Sequence, residues 1–337
     1  MNVYIDLGTS TTRIAIENKG VLIREPTVIG YNKKMKESIF FGTEAKRVTG
    51  KVPDFISIEQ PVRDSIIVNF DMAVELVKHF LDLAITPYRS KHALLKPTIH
   101  TSAAVPTVAS EIEQRAVEEV LFKVGARKVS LFERSLVTAL GCGHNVFLHE
   151  PVGVIDMGGG TVDIAIISGG GVVQQKTLKT AGEHMNKLIN NYLYLKHGIV
   201  LGDGTIEEMK LSLFQLEGEE KTETVRGKSL ETGLPKKIKV RSSEVKEALL
   251  PCLNHITDAI KELVELSPPE VVNALYKDGI TLTGGVSHAP GIAGFFEEEL
   301  KLPAAIAINP DTSTINGLLR TGRRSEFAAK LRMNMPY

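Results

Sequence analysis

Two segments of the sequence match each other without a gap and carry residue types that bind polyphosphates. They read IDLGTSTTRIAI at residues 5–16 and IDMGGGTVDIAI at residues 155–166. Apolar runs on both sides of a small polar turn predict a strand, a tight turn and a second strand, which is a β-hairpin. Two matched copies with matched flanks argue against two unrelated glycine turns.

The turns of both hairpins have the composition of an anion-binding site. Small residues let successive backbone N–H groups converge on a phosphate, and hydroxyl groups add further donors. The candidate phosphate-binding residues are Gly8, Thr9, Ser10, Thr11, Gly158, Gly159, Gly160 and Thr161. Two such hairpins predict two half-domains that hold one polyphosphate from opposite sides.

An aspartate ends the first strand of each hairpin, at Asp6 and Asp156. A carboxylate at this position could hold a hydrated divalent cation beside the phosphates, because Mg²⁺ retains several waters and needs few protein ligands. We therefore predict a Mg²⁺ site that involves both aspartates.

A third glycine turn lies near the C-terminus, at Gly284 and Gly285, between a strand-like run and a helical run. A glycine pair permits close approach to a flat ligand such as a base, but it also occurs in simple packing turns. Because the sequence also contains two predicted phosphate-binding hairpins, we predict that this glycine pair forms a nucleoside-binding turn. The sequence lacks the GxxxxGK[ST] pattern of a P-loop.

Composition limits the classes of function. The 337 residues include 40 Lys and Arg and 40 Asp and Glu, so no excess positive charge indicates a nucleic acid partner. The two cysteines are far apart and form no metal-ligand spacing. No signal peptide or apolar span of about 20 residues is evident, which predicts a cytoplasmic protein with at most peripheral membrane contact.

These motifs resemble those of a known superfamily. Residues 6–9, 156–161 and 282–285 are similar to the two phosphate motifs and the adenosine motif of the actin, Hsp70 and sugar kinase superfamily. Within it, further segments resemble the MreB family of bacterial actins, among them residues 24–28, 42–47, 61–67, 113–116, 125–127, 226–228, 233–235 and 267–270. The resemblance implies an α/β fold of duplicated actin-like (ribonuclease H-like) domains, with two lobes around a nucleotide cleft.

The resemblance also implies a domain organisation. Lobe I would cover residues 1–150 with a small subdomain at about 30–69, and lobe II would cover 151–322 with a small subdomain at about 186–250. Residues 323–337 would return to lobe I. Apolar residues at helical spacing predict a helix over 244–266 whose stripe belongs to the core.

Further site residues follow from the resemblance alone. Glu207 and Lys210 match a helix that contacts the ribose and base in the family. The alternative is that both residues lie on a solvent-exposed helix face without contacting a ligand. Gly182 and Glu183 match a turn near the sugar and phosphates. The implied ligands are ATP or ADP with Mg²⁺.

One position departs from the family pattern. The family places a water-orienting Glu where gapless alignment places Arg134, and arginine stays protonated, so it cannot act as a base. We therefore expect slow or absent ATP hydrolysis. Asp163, two residues after Thr161, or a water network could take over the role of the missing Glu. The candidate catalytic residues are therefore Arg134, Thr161 and Asp163.

The resemblance implies filament formation and work in cell-shape maintenance. Leu94 and Leu95, flanked by cationic residues, could insert into the inner face of the membrane or pack beneath the following strand. A non-hydrolysing paralogue that acts as a scaffold or copolymer is the main alternative. A small-molecule kinase of the same superfamily is a further alternative. A chaperone-type ATPase is disfavoured, because the sequence shows no peptide-binding domain.

Overall fold

A computed structural model describes residues 1–88, 98–323 and 325–333 of the chain. In chain order the strands are β1 (Asn2–Leu7), β2 (Thr11–Ile16), β3 (Gly20–Pro26), β4 (Ile29–Asn32), β5 (Glu37–Phe41), β6 (Ile56–Glu59), β7 (Val62–Arg63), β8 (Ile66–Ile67), β9 (Ile99–Val105), β10 (Ala126–Glu133), β11 (Val152–Met157), β12 (Val162–Ser168), β13 (Gly171–Leu178), β14 (Ile199–Val200), β15 (Thr222–Ser229), β16 (Pro235–Arg241), β17 (Ile280–Thr283) and β18 (Ala304–Ile306). The α-helices are α1 (Thr43–Val48), α2 (Phe70–Ile85), α3 (Glu111–Lys123), α4 (Arg134–Cys142), α5 (Gly182–His197), α6 (Asp203–Leu213), α7 (Ser242–Glu265), α8 (Pro269–Asp278), α9 (Ile292–Leu300), α10 (Ser313–Arg323) and α11 (Ser325–Leu331).

Two five-stranded sheets have the same topology. The first sheet has the order β10-β9-β1-β2-β3, and the second has the order β18-β17-β11-β12-β13. In each, the first three strands are parallel and the last two are added as an antiparallel meander. This internal duplication confirms the predicted fold class.

The two predicted hairpins are β1–β2 and β11–β12, called here the first and second hairpins. Their registers are equivalent: Asp6 lies opposite Arg13 in the first hairpin, and Asp156 lies opposite Asp163 in the second. Because side chains directly opposite each other in an antiparallel pair share one face, each aspartate meets its cross-strand neighbour.

Helices cover the sheets as their apolar spacing predicts. The predicted helix over 244–266 is α7, whose stripe residues Val245, Leu249, Cys252, Ile256, Ile260 and Leu263 are each at most 4% exposed. The α3 helix starts with a capping box formed by Ser110 and Glu113, which satisfies backbone N–H groups that a helix start leaves unpaired. The prediction of a core stripe on α7 is confirmed.

A third apolar cluster joins the two sheets around α4 and α10. The two helices cross with main chain against main chain, because a Cβ atom at Gly141 would overlap Ser313 O and one at Gly317 would overlap Val137 O. At the end of the described chain, Met333 N–H donates to Leu131 O at 3.0 Å, which ties the segment after α11 to β10.

Two smaller three-stranded sheets extend from this frame. Their orders are β5-β4-β6 and β14-β15-β16. None of the helices that the structure describes combines the length and hydrophobicity that a transmembrane span needs.

Candidate functional site

A cleft between the two hairpin turns is lined by residues from both sheets and has a volume of about 340 Å³. Small-molecule sites usually have volumes of about 300 to 1,000 Å³. Every candidate residue from the sequence lines this cleft: Asp6, Gly8, Thr9, Ser10, Thr11, Arg134, Asp156, Gly158, Gly159, Gly160, Thr161, Asp163, Gly182, Glu183, Glu207, Lys210, Gly284 and Gly285. The fold therefore brings residues from six separate stretches of sequence into one cavity.

The two hairpin turns face each other at very close range. A Cβ atom at Gly159 would overlap Ser10 Oγ, and a Cβ atom at Gly160 would overlap Thr9 Oγ1. Glycine at these positions therefore lets the two turns approach closely, and converging turns of small residues are typical of anion-binding sites.

A third turn, Asp64–Ser65 between β7 and β8, lies between the hairpin turns and was missed by the sequence analysis. Ser65 N–H donates to Thr9 Oγ1 at 2.8 Å, and Ser65 Oγ lies 3.1 Å from Thr161 Oγ1. Asp64 and Ser65 have φ angles of 49° and 64°, a left-handed conformation that costs a non-glycine residue about 1–2 kcal/mol. A strained turn therefore bridges the two halves of the cleft.

Arg134 is the first residue of α4 and is 8% exposed. Its Nη1 donates to Ser65 Oγ at 3.1 Å, and its Nη2 lies 3.8 Å from Asp6 Oδ1. Arg13 Nη1 donates to Asp6 Oδ2 at 3.2 Å. Asp6 therefore contacts two guanidinium groups, and the contribution of Arg13 was another feature that the sequence analysis missed.

The preceding residue, Glu133, does not take the place of the missing carboxylate. It is the N-cap of α4 and lines a separate cavity with Thr107 and Leu136. Burial raises the pKa of Glu133 above its ordinary value. The catalytic carboxylate of the family pattern thus has no local replacement from the neighbouring residue.

Asp156 has a very different environment from Asp6. Burial, and then the nearby Asp163 carboxylate, raise the pKa of Asp156 to about 7, against the opposing effect of Arg134. Asp163 accepts hydrogen bonds from Thr161 Oγ1 at 3.1 Å and from Thr177 Oγ1 at 2.6 Å. Both oxygens of the alternative catalytic carboxylate are therefore already bonded.

Glu207 and Lys210 on α6 form an ion pair between a buried lysine and a partly buried glutamate rather than a solvated helix face. Lys210 is 7% exposed and donates to Glu207 Oε2 and to Gly182 O, both at 2.9 Å. Asn186 Nδ2 also donates to Glu207 Oε2, at 2.6 Å. Burial acts to raise the pKa of Glu207, but Lys210, Asn186 and Lys46 together outweigh it, so the pKa lies below its ordinary value.

In the glycine pair at the end of β17, Gly284 fits the interpretation as a packing turn and Gly285 fits the interpretation as a ligand contact. Gly284 has a φ angle of 85° and packs so closely on β11 that a Cβ atom would overlap Met157 O. Gly285 has open space where its Cβ would be, on the cleft side. The apolar residues that line the cleft are Met185, Leu211, Phe214, Val286 and Ala289.

Contacts across the mouth of the cleft were also not predicted. Glu183 Oε1 accepts hydrogen bonds from Gln60 Nε2 at 3.0 Å and from Ser10 Oγ at 3.4 Å. Arg24 on β3 forms an ion pair with Asp311. Nothing in the sequence pattern pairs residues this far apart along the chain.

The cleft fits a nucleotide better than it fits a metal ion alone. Facing turns suit phosphates and the apolar wall suits a base. Among the described residues, no three His, Cys, Asp or Glu side chains could hold a metal ion by themselves. A divalent cation would need phosphate or water ligands. Asp156 and Asp163 are carboxylates beside the hairpin turns that form no ion pair in the described part of the chain.

The candidate membrane residues Leu94 and Leu95 lie outside the described residues.

Comparisons with known proteins agree with this geometry. The family model for MreB/Mbl protein matches residues 1–329. The cell shape-determining protein Mbl of Bacillus subtilis is 33% identical over 312 residues, which cover 92% of each chain. The crystal structure of Spiroplasma citri MreB5 bound to ADP has a TM-score of 0.90 at 30% identity and covers 96% of both chains, and MreB5 bound to AMPPNP matches equally well.

A more distant structure supports the fold alone. The MamK double helical filament has a TM-score of 0.79 at 18% identity and covers 96% of this chain and 99% of that chain. Together, the family match over residues 1–329, the 33% identity to Mbl and the TM-score of 0.90 to MreB5 show that this chain belongs to the MreB/Mbl family of cell-shape-determining, actin-like proteins.

Proposed function

We propose that this chain binds ATP in the cleft and assembles into filaments that act in cell-shape maintenance. The observation that carries the proposal is the pair of hairpin turns that approach each other closely at glycine residues and line one cleft. Membership of the MreB/Mbl family supports it, and MreB5 of S. citri has been solved with ADP and with AMPPNP.

The residues divide into groups along the proposed nucleotide. The turn residues of both hairpins would bind the terminal phosphates, and Gly182 and Glu183 would lie near the sugar. Glu207, Lys210 and Gly285 would contact the ribose and base. Mg²⁺ would be held through water by Asp156, with Asp6 as the second carboxylate, and would neutralise phosphate charge.

The lobe boundaries are part of the same proposal. Lobe I would cover residues 1–150 and lobe II residues 151–322, with small subdomains at about 30–69 and 186–250. The first and second sheets supply a separate core for each lobe, which supports this division. Residues 323–337 would return to lobe I, and the hydrogen bond from Met333 to Leu131 supports that path.

ATP hydrolysis is proposed to be slow or absent. Arg134 stays protonated at the position where the family pattern has a water-orienting carboxylate. Asp163, the alternative carboxylate, is held in a fixed orientation by hydrogen bonds from the Thr161 and Thr177 hydroxyl groups. The arginine at position 134 favours, as the second candidate function, a non-hydrolysing paralogue that serves as a scaffold or copolymer.

Sedimentation with phosphate release in the same tubes tests the proposal. The purified chain is pelleted with Mg·ATP, Mg·ADP and a non-hydrolysable ATP analogue. We expect pelleting with ATP and the analogue, with little phosphate release by the wild type. Arg134→Glu restores a carboxylate and should raise phosphate release by about tenfold or more, in line with the contribution of a positioned general base.

The outcomes separate the rival functions. No pelleting with any nucleotide would contradict the filament proposal. Phosphate transfer only in the presence of a small acceptor would favour a kinase. Rapid wild-type release that Arg134→Glu does not improve would show that Arg134 leaves hydrolysis intact.

Peripheral contact with the inner face of the membrane is the last part of the proposal, and it rests on the sequence of residues 88–97. Leu94→Ser/Leu95→Ser should reduce co-pelleting with anionic liposomes if this leucine pair inserts between lipids. Leu148→Ser is the matched control, because Leu148 is exposed elsewhere on the surface. Equal pelleting of both variants would remove the leucine pair from consideration.

A further inference from the structure

The small sheet β14-β15-β16 has one face in the core and one face in solvent. Along its two long strands, Val225, Ile238 and Val240 belong to the apolar core of the second sheet, and the residues between them point the other way and are exposed. None of the exposed-face residues of β15 and β16, all of which the structure describes, is acidic. The cations on this face, called here the basic face, are Arg226, Lys228, Lys237, Lys239 and Arg241.

Most charges of the basic face have no counter-ion within the chain. Among the described residues, Arg241 is the one member that forms an ion pair, with Glu244 at 3.7 Å. Arg226 lies directly opposite Lys237, and like charges at such a position destabilise an antiparallel pair. The chain as a whole has equal numbers of acidic and basic residues, so the basic face is a local excess of positive charge. An external anionic partner accounts for an arrangement that the fold itself does not favour.

The turn that joins β15 and β16 adds exposed apolar side chains next to the basic face. Leu230 is 45% exposed and Leu234 is 65% exposed. Ser229 N–H donates to Leu234 O at 2.9 Å and closes the turn, so both leucines lie at the end of the hairpin where Lys228 lies. The turn also contains one acidic residue, Glu231. Exposed leucines beside several cations are typical of a surface that lies at the boundary between lipid and water.

Two features favour an anionic lipid surface over a nucleic acid as the partner. The strand residues of the basic face include no aromatic side chain on which a base could stack. Leu230 and Leu234 gain free energy when they enter a lipid interface, whereas a phosphate backbone offers them no apolar contact.

We infer that the basic face and the two leucines of its turn form a docking surface for an anionic membrane. The cations lie against the lipid headgroups, and Leu230 and Leu234 enter the region between headgroups and acyl chains. The inference rests on the proposed peripheral membrane contact and adds to it a surface that is separate in sequence from residues 88–97. Because the attraction of cations to an anionic surface falls off within a Debye length, salt weakens this contact.

Flotation of the full-length chain with lipid vesicles, without nucleotide, tests the inference. Vesicles rise through a density gradient whereas filaments sediment, so flotation reports membrane binding alone. The wild type should float with vesicles that contain phosphatidylglycerol and should not float with phosphatidylcholine alone. Lys237→Gln/Lys239→Gln should lower the affinity for the anionic vesicles by about tenfold or more, because two cations near the surface are lost. Leu230→Ser/Leu234→Ser should lower it by about threefold or more.

Lys33→Gln/Lys36→Gln is the matched control, because both lysines are exposed in the turn between β4 and β5 of the other three-stranded sheet. This variant loses the same charge and should float like the wild type. Lys237→Arg/Lys239→Arg keeps the charge and should also float like the wild type. In thermal unfolding, Lys237→Gln/Lys239→Gln should be at least as stable as the wild type, because it removes the like-charge pair with Arg226.

The outcomes distinguish this inference from the proposed function. Equal flotation of the basic-face glutamine variant and its lysine control overturns the inference, and loss of flotation by Leu94→Ser/Leu95→Ser in the same assay leaves the proposed membrane contact intact. Wild-type flotation that is the same with both kinds of vesicle, or that salt does not reduce, also overturns it. Tighter binding to a short DNA duplex than to anionic vesicles, weakened in the glutamine variant, assigns the basic face to nucleic acid and overturns the lipid partner. The assay contains no nucleotide, so ATP binding and filament formation are tested independently of it.

Discussion

The first and second hairpins have the same backbone design, yet the aspartate in each faces an opposite charge environment. Asp6 lies across from Arg13, and Asp156 lies across from Asp163 at the equivalent register position. Opposite charges across an antiparallel pair are stabilising and like charges are destabilising. The cross-strand residue therefore contributes to the difference between the two carboxylates, together with Arg134 beside Asp6 and the burial of Asp156.

This difference gives the cleft two unlike walls. On the first wall, Arg13 and Arg134 already neutralise Asp6. On the second, burial and Asp163 raise the pKa of Asp156 to about 7. The comparison teaches that duplication preserved the strand register and the glycine turns, while the chemistry diverged at side chains that the fold does not constrain.

The largest expected effect comes from giving the first hairpin the charge pattern of the second. Arg13→Asp should lower the free energy of unfolding by about 5 kcal/mol, because it removes one partner of a buried ion pair and adds a like charge. Urea denaturation measures the change. Arg47→Asp, at an exposed position on α1, should stay within about 0.5 kcal/mol of the wild type. Equal losses in the two variants would contradict the role given to Arg13.

The second prediction concerns the unneutralised carboxylate of the other hairpin. Because the folded-state pKa of Asp156 lies near 7, above the ordinary 3.8, its contribution to stability is fully present below pH 3.8. That contribution is lost as the pH rises through about 7. Asp156→Asn, which mimics the protonated form, should therefore gain about 2–4 kcal/mol over the wild type between pH 4 and pH 8.

The pH experiment needs a control variant with the same Asp→Asn change at an exposed position. Urea denaturation at each pH, without nucleotide or divalent cations, compares Asp156→Asn with Asp258→Asn, whose side chain is exposed on α7. The control should follow the wild type across the range. A constant difference between Asp156→Asn and the wild type at all pH values would mean that Asp156 titrates normally.

The smallest predicted effect separates strain from hydrogen bonding at the turn that joins the hairpins. Ser65→Ala and Ser65→Gly both remove the hydroxyl that accepts from Arg134, but only glycine relieves the left-handed backbone. The alanine variant should be less stable than the glycine variant by about 1 kcal/mol. Thermal unfolding in the same buffer measures the difference, and a more stable alanine variant would show that the turn is unstrained.

Much of the fold was predictable because local patterns and long-range requirements agree. The duplicated hairpins were evident from alternating apolar strands and small turns, and α7 from its apolar stripe. Many of the cleft-lining residues were also predicted. The turn residues and Gly285 were predicted from their own glycine motifs, whereas Gly182, Glu183, Glu207 and Lys210 came from the family resemblance alone.

The features that were missed depend on positions that only the folded chain defines. Arg13 lies inside the repeat, yet its role requires the strand register that places it opposite Asp6. Ser65 has no motif, because its left-handed backbone and its contacts with both hairpins are tertiary properties. Gln60 and Glu183 meet across the cleft although 123 residues separate them.

The crossing of α4 and α10 has a mechanical consequence. At Gly141 and Gly317 the helices touch through main-chain atoms, with no side-chain layer between them to deform. Close-packed contacts of this kind have low compressibility and transmit strain. A displacement of α10 is therefore passed to α4 with little loss, and the first residue of α4 is Arg134. The crossing is therefore a stiff contact, and a shift of α10 would change the position of the Arg134 guanidinium group in the cleft.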